Sequence, residues 1–109
     1  MSSLKTLLLT FHASIADREK GVAYIKKNPT SFDELFDLAC AAEKHREHIV
    51  AAWVFEYYIL QHIESLTPLL DQFLRGAKAQ THEIKRRPMA KVLYHYCAHE
   101  VRRSVLSNK

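Results

Sequence analysis

Glycine, proline and cysteine are scarce in this chain, whose 109 residues include 2 Gly, 3 Pro and 2 Cys. Sheets and long loops need frequent turn residues, so this scarcity favours long helices joined by short connections. Disulfide-stapled secreted domains usually carry more cysteines, and Cys40 and Cys97 each stand inside an apolar helical pattern. The sequence therefore predicts an all-α protein in a reducing, cytoplasmic setting.

Long hydrophobic runs are also missing. The run from Leu7 to Leu9 is interrupted by Thr10 and His12, which makes it too short for an export signal or a membrane span. The composition is that of a globular protein, with 48% hydrophobic and 26% charged residues. We therefore expect a single domain over residues 1–109 that does not associate with a membrane.

Catalytic motifs are absent as well: there is no glycine-rich phosphate loop, no nucleophile elbow and no HExxH pattern. An adenylosuccinate lyase-type activity is not expected, because the chain is far too short for that fold and lacks its serine-rich mobile loop. We therefore expect a protein that is not an enzyme and that carries no cofactor.

Apolar residues at spacings of three and four predict five or six amphipathic helices. Ser31 and Glu34 form a capping-box pattern at the start of the third helix, and Thr67-Pro68 is a typical start for the fifth. Pro88 falls inside the last helical pattern, so this helix either starts only at Arg87 or is kinked in its early turns, and the kink is favoured. The first two predicted helices cover residues 4–15 and 17–27. The fourth covers about 46–62, and the last covers about 82–106.

The same spacings predict which side chains are buried. Trp53 is expected to lie largely buried between hairpins, in a helix that is apolar on most sides and therefore internal. Ile15 and Leu74 are expected on the buried sides of the first and fifth helices. The predicted buried line of the last helix consists of Met89, Val92, Leu93, Tyr96, Cys97, Val101 and Val105.

One pattern occurs twice, as AWVFEYY at 52–58 and as AKVLYHY at 90–96. The offset of 38 residues also relates the preceding helices, where it pairs Phe32 with Leu70 and Asp33 with Asp71. A repeated buried pattern is typical of stacked helical hairpins, because a single hairpin cannot bury its apolar face alone. The predicted hairpins cover about 4–27, 32–62 and 66–106.

The stretches LTPLLDQFL (66–74) and HEIKRRPMAKVL (82–93) resemble a HEAT repeat. That family has a proline in its first helix, then an acidic–aliphatic–basic stretch followed by an alanine and a leucine. The matching positions are Pro68, Glu83, Ile84, Arg87, Ala90 and Leu93. The chain departs from the family at Ile49, where arginine is frequent, and in its period, since HEAT repeats have ~40–47 residues. The resemblance implies a right-handed α–α superhelix of five or six helices that holds a protein, or sometimes a nucleic acid, on one face.

The net charge of +4 is concentrated in the second half of the chain. Residues 57–109 contain nine Lys or Arg against four Asp or Glu, whereas residues 1–56 contain seven against eight. A basic face of this kind binds phosphate groups in some proteins and is simply solvated in others. Its candidate members are Lys85, Arg86, Arg87, Arg102 and Arg103, and nucleic-acid binding through them is the alternative function.

Glu56 is an acid embedded in the apolar run WVFEYY, so it needs a partner. The 38-residue offset brings the helix of Lys91 beside that of Glu56, and a structural ion pair is favoured over a catalytic acid. Trp53 and His95 are expected nearby. These four residues form a candidate interaction patch, and a ligand-binding patch at this seam is the alternative to a purely structural ion pair.

His95 and His99 stand four residues apart, a spacing that puts both on one helix face and suits zinc. No third ligand is placed to join them, so we expect half-exposed surface histidines and no metal site. The favoured function is therefore a non-enzymatic scaffold for protein–protein interaction. Self-association is one form of it, because the end faces of so short a stack are hard to cover.

Overall fold

The computed structural model describes residues 3–43, 45–81 and 83–107, and every regular element in these ranges is helical. The all-α prediction is therefore confirmed. The described elements are α1 (Ser3–Leu8), α2 (Ile15–Lys27), α3 (Ser31–Cys40), α4 (Arg46–Gln61), a 3₁₀ segment (Ile63–Leu69), α5 (Leu70–Ala79) and α6 (Glu83–Ser107). None of the described helices is both long enough and apolar enough to cross a membrane.

The helices pack in two layers. In one layer α1 lies against α3 and α3 against α5, and in the other α2 lies against α4 and α4 against α6. The layers are joined because α3 packs on α4 and α5 packs on α6. α4 contacts α1, α2, α3, α6 and the 3₁₀ segment, so it is the internal helix that its apolar sequence predicts.

Aromatic rings form the centre of the core around Phe55 of α4. The ring of Phe36 in α3 lies 5.5 Å from that of Phe55, measured between centroids. The ring of Phe73 in α5 lies 5.7 Å from Phe55 in an edge-to-face arrangement. Phe55 therefore connects the two layers, and burial of these large rings is a main source of the fold's stability.

The two glycines of the chain stand where helices of one layer approach closely. A Cβ atom added to Gly76 in α5 would lie 2.7 Å from the Cβ atom of Cys40 in α3. One added to Gly21 in α2 would lie 2.8 Å from both methyl groups of Val54 in α4. Neither glycine has a positive φ angle. Each is therefore needed for the spacing between two helices and not for a turn.

Ile15 and Leu74 are exposed, although the spacing of apolar residues predicts that they are buried. α1 ends at Leu8, and α2 begins after Ser14, whose hydroxyl accepts a hydrogen bond from the Asp17 amide at 3.1 Å. Ile15 therefore belongs to a new helix and is 63% exposed, because it no longer shares the buried side of α1. Leu74 of α5 is 44% exposed, since α5 buries the side that carries Phe73 and Leu74 lies ~100° away from it around the helix.

Two predicted helix starts are also different. Ser31 is the first residue of α3, and the N-cap residue Thr30 has helical backbone angles and makes no side-chain capping bond. The capping box predicted at Ser31 is therefore wrong. Pro68 lies inside the 3₁₀ segment, and α5 begins only at Leu70. Short 3₁₀ segments are frequent at the start of α-helices, and here one precedes α5.

α6 continues through Pro88, and only part of its predicted buried line is buried. The fully buried members are Met89, Val92 and Tyr96. The prediction is wrong for Cys97, Val101 and Val105, which are exposed. The reason is that α4, α5 and the 3₁₀ segment cover one side of α6, and no described element covers the other.

Candidate interaction surfaces

The outer side of α6 carries an apolar groove with a volume of about 780 Å³, called the α6 groove below. Tyr94 is 71% exposed and Val101 is 65% exposed, and they belong to one contiguous apolar strip. A contiguous exposed strip marks an interaction surface far more often than scattered apolar residues do. The lining residues are Ala90, Leu93, Tyr94, Cys97, Ala98, Val101 and Arg102.

A smaller pocket of about 370 Å³ opens between α2, α4 and α6 and is called the tryptophan pocket below. Trp53 of α4 lines it, and the guanidinium carbon of Arg18 from α2 lies 5.9 Å from the centre of the indole ring. Lys91 Nζ on α6 lies 3.1 Å from Glu56 Oε1 on α4. The ion pair predicted from the repeat is therefore confirmed, and it bridges two helices of one layer.

The predicted patch of Trp53, Glu56, Lys91 and His95 comes together only in part. The first three residues line the tryptophan pocket. His95 is exposed and lines a separate cleft beside Leu60. Trp53 packs against the core with part of its ring exposed, and the open space beside the ring is the tryptophan pocket.

Lys85 of α6 is fully buried, with 0% of its surface exposed. Its Nζ donates to the carbonyl oxygens of Leu38 at 3.3 Å, of Glu43 at 3.0 Å and of Ala41. These oxygens lie at the carboxyl end of α3, where carbonyl groups lack helical partners and the helix dipole is negative. Burial lowers the pKa of Lys85, against the opposing effects of Cys40 and Glu43.

Gln80, which is also buried, binds the same end of α3. Its Nε2 donates to the carbonyl oxygens of Cys40 at 3.1 Å, of Ala41 at 2.9 Å and of Gly76 at 3.1 Å. Burial raises the pKa of the Cys40 thiol to about 12, so this thiol stays protonated at neutral pH. Lys85 and Gln80 together form a cap on α3 that the next hairpin supplies.

The predicted basic face is not continuous. Including Lys85 in it was wrong, because this residue is buried as part of the α3 cap. Three of the arginines have an acid within 3.9 Å: Arg86 and Arg87 lie beside Glu83, and Arg103 lies beside Glu100. Arg102 lines the α6 groove. The cations of α6 therefore lie in different surroundings and not along one surface.

His95 and His99 are not gathered with further ligands. His99 Nε2 lies 3.5 Å from Glu64 Oε1, and the ring of His95 lies edge-on to that of Tyr94, with centroids 5.4 Å apart. Within residues 3–43, 45–81 and 83–107 no group of three or more His, Cys, Asp or Glu side chains is placed to hold a metal ion.

His48 is a buried histidine at the start of α4. Its Nε2 lies 3.0 Å from Glu43 Oε2, and its Nδ1 has no hydrogen-bond partner among the described residues. Burial lowers the pKa of His48 below its usual value of 6.5, although Glu43 and Glu47 act in the opposite direction. The folded protein therefore favours the neutral imidazole.

We expect His48 to make the stability of the protein sensitive to mild acid. Because the folded pKa lies below the unfolded value, the contribution of His48 is fully present above pH 6.5 and is lost as the pH falls through the folded pKa. In urea unfolding, the stability advantage of the wild type over His48→Gln should shrink from pH 7.5 to pH 5. The other histidines are shared by both proteins, and an advantage that grows in acid would contradict this assignment.

Sequence patterns missed the α3 cap, although one signal was available. Lys85 stands four residues before Met89 and seven before Val92, so it occupies the buried stripe of α6. Its neighbours Arg86 and Arg87 do not share that helical phase. A lysine in phase with a buried stripe has to find acceptors, and the nearest ones are main-chain carbonyls of the preceding hairpin.

No protein-family model, no curated protein and no solved structure matches the chain. The described residues define an all-α protein of two helical layers, with an apolar groove on its last helix and a cationic pocket between three helices.

Proposed function

We propose that this protein is a short HEAT-like helical-repeat scaffold, with the right-handed superhelix of that family, which binds a helical hairpin of a partner protein in the α6 groove. The observation that carries the proposal is the exposed apolar strip of α6. The free thiols of Cys40 and Cys97 agree with a reducing, cytoplasmic setting, which is part of the proposal.

The internal repeat supports a helical hairpin as the occupant. The offset of 38 residues relates the α6 groove to one face of α4 through the pairs Ala52 with Ala90, Phe55 with Leu93, Glu56 with Tyr94 and Ile59 with Cys97. All four α4 residues are buried. Their cover includes Phe73 of α5 and Lys91 of α6, which are the two helices of the next hairpin. This equivalence supports one more helical hairpin as the occupant of the α6 groove.

Charge favours a different protein over a second copy of this chain. Residues 83–107 contain six Lys or Arg and only two Glu, so two α6 helices face to face would bring like charges together. An acidic hairpin avoids this repulsion and gains attraction to Arg102 at the edge of the groove. The proposed partner is therefore an apolar helical hairpin with acidic flanks.

The test uses a peptide of residues 63–107 as the probe, because this hairpin already covers the equivalent face of α4. The peptide carries Cys97→Ser, and Glu replaces its exposed arginines to give the acidic flanks of the proposed partner; these are Arg86, Arg87, Arg102 and Arg103. Cys97 of the full chain lines the groove, whereas Cys40 is a poor nucleophile with a pKa of about 12. We expect the probe at about 1 mM to slow thiol modification of Cys97 at least about tenfold. The double variant Tyr94→Glu, Val101→Glu should abolish this protection.

Ile15→Glu is the matched control, because Ile15 is as exposed as Val101 but lies on α2. It should leave the protection unchanged. The proposal is overturned if the probe gives no protection, or if Ile15→Glu removes it as well. Sedimentation would show a second possibility if the wild type were a dimer and the Tyr94→Glu, Val101→Glu variant were a monomer. That result would mean that the occupant of the α6 groove is a second copy of this chain and not a partner protein.

Nucleic-acid binding through the basic half stays a prediction, and no feature of the described residues favours it over the scaffold. Lys85 is buried, and Arg86, Arg87 and Arg103 each have an acidic neighbour. Phosphate contacts through such a surface would have to compete with these acids.

A further inference from the structure

We propose that the tryptophan pocket is a second binding site, separate from the α6 groove, which takes an oxyanion attached to a flat apolar group. A carboxylate on an aromatic ring is the simplest ligand of this class. The proposal goes beyond the binding of a helical hairpin, and it rests on the charge, the walls and the size of this pocket.

Positive charge dominates the pocket. Arg18, Arg87 and Lys91 line it together with one acid, Glu56, so the lining has three cations and one anion, a formal charge of +2. Lys91 is already paired with Glu56 at 3.1 Å, and Arg87 Nε lies 3.5 Å from Glu83 at the rim. The cation left without an acid among the described residues is Arg18, which comes from the opposite side of the pocket.

Arg18 is in an unusual state for an arginine. Its Nε is buried, and no described residue accepts a hydrogen bond from it. The guanidinium lies instead over the indole ring of Trp53, a contact that leaves Nε without an acceptor. A bound carboxylate or phosphate would accept from this fork and from Arg87, since planar bidentate recognition of oxyanions is the particular strength of arginine.

The remaining walls are apolar. Trp53, Ile84 and Pro88 line the pocket, and Pro88 is itself buried in α6. A volume of about 370 Å³ matches the lower end of the range of small-ligand sites, ~300–1,000 Å³. Apolar walls beside an arginine fork select a ligand that has both a flat apolar body and an anionic end. Inorganic anions alone would leave the indole face uncovered.

Trp53 is the only tryptophan in the chain, so its fluorescence reports on the pocket directly. We expect benzoate to change this fluorescence saturably in the millimolar range, whereas its neutral analogue benzamide does so at least about tenfold more weakly. The double variant Arg18→Gln, Arg87→Gln should weaken the benzoate response at least about tenfold. Lys20→Gln is the matched control, because Lys20 lies on α2 near Arg18 but does not line the pocket.

Each outcome decides the matter. The absence of a saturable response to benzoate at constant ionic strength overturns the proposal, and so does a response that benzamide matches or that the double variant retains. Circular dichroism checks that the variants keep their helices. A second titration with a short amidated peptide that carries Glu beside Phe separates the two sources of this chemistry. Tighter binding of the peptide points to an acidic segment of a protein partner, and tighter binding of benzoate points to a free aromatic acid.

Discussion

Replacing Lys85 with methionine is expected to destabilise the protein by about 3 kcal/mol, a large effect for one charged residue. The substitution keeps most of the aliphatic volume and removes the ammonium group that donates to Leu38, Ala41 and Glu43. Gln80 still donates to the Ala41 carbonyl, but the carbonyls of Leu38 and Glu43 lose their side-chain donor, and the end of α3 loses its compensating charge. Urea unfolding monitored by circular dichroism measures the difference.

Arg86→Met is the matched control, because it removes a cation from the adjacent position. Arg86 is exposed, and its contact with Glu83 at 3.9 Å is a surface ion pair. The control should change the free energy of unfolding by no more than about 0.5 kcal/mol. An equal loss in the free energy of unfolding for the two substitutions would mean that net charge, and not the α3 cap, determines the effect.

Replacing Phe73 with alanine is expected to cost ~3–5 kcal/mol, the usual range for a large core aromatic. Phe73 is the only residue of α5 that is fully buried, and its ring packs edge-to-face on Phe55. Phe73 is therefore the most deeply buried of the α5 side chains that pack on the core. Besides the global loss measured by urea unfolding, hydrogen exchange should show α5 opening well before α4.

Leu74→Ala tests whether the loss of stability depends on the burial of the side chain or only on its being apolar. Leu74 follows Phe73 directly but is 44% exposed, so its truncation should cost less than about 1 kcal/mol. If Phe73→Ala prevents folding, Phe73→Leu provides the comparison, with a cost between those of the other two variants. A Leu74→Ala variant as unstable as the Phe73 variants would contradict the described orientation of α5.

One contact of the candidate sites was predictable because it follows from the repeat. The 38-residue offset aligned the helices of Glu56 and Lys91, and an acid in an apolar run requires a partner. Their 3.1 Å ion pair agrees with that argument. The position of Arg18 over Trp53 was not predictable, because α2 lies outside the repeated pattern and its register against α4 is set by packing at Gly21.

Periodicity and composition by themselves determined that this protein is helical and that α4 is internal. These features depend on the spacing and the number of apolar residues, and both can be read from the sequence. Periodicity marks an apolar side of a helix whether or not another element covers that side. It therefore assigned three exposed residues, Cys97, Val101 and Val105, to the core together with Met89 and Val92.

Only the tertiary structure decided which of those sides is covered. Burial depends on the presence of a neighbouring element, and α6 has neighbours on one side among the described residues. Helix packing also buries Lys85, one of several similar cations in the sequence, as part of the α3 cap. The same packing leaves part of the Trp53 ring exposed in the tryptophan pocket. Spacing along a helix specifies which residues share a face, whereas the contacts between helices specify what that face meets.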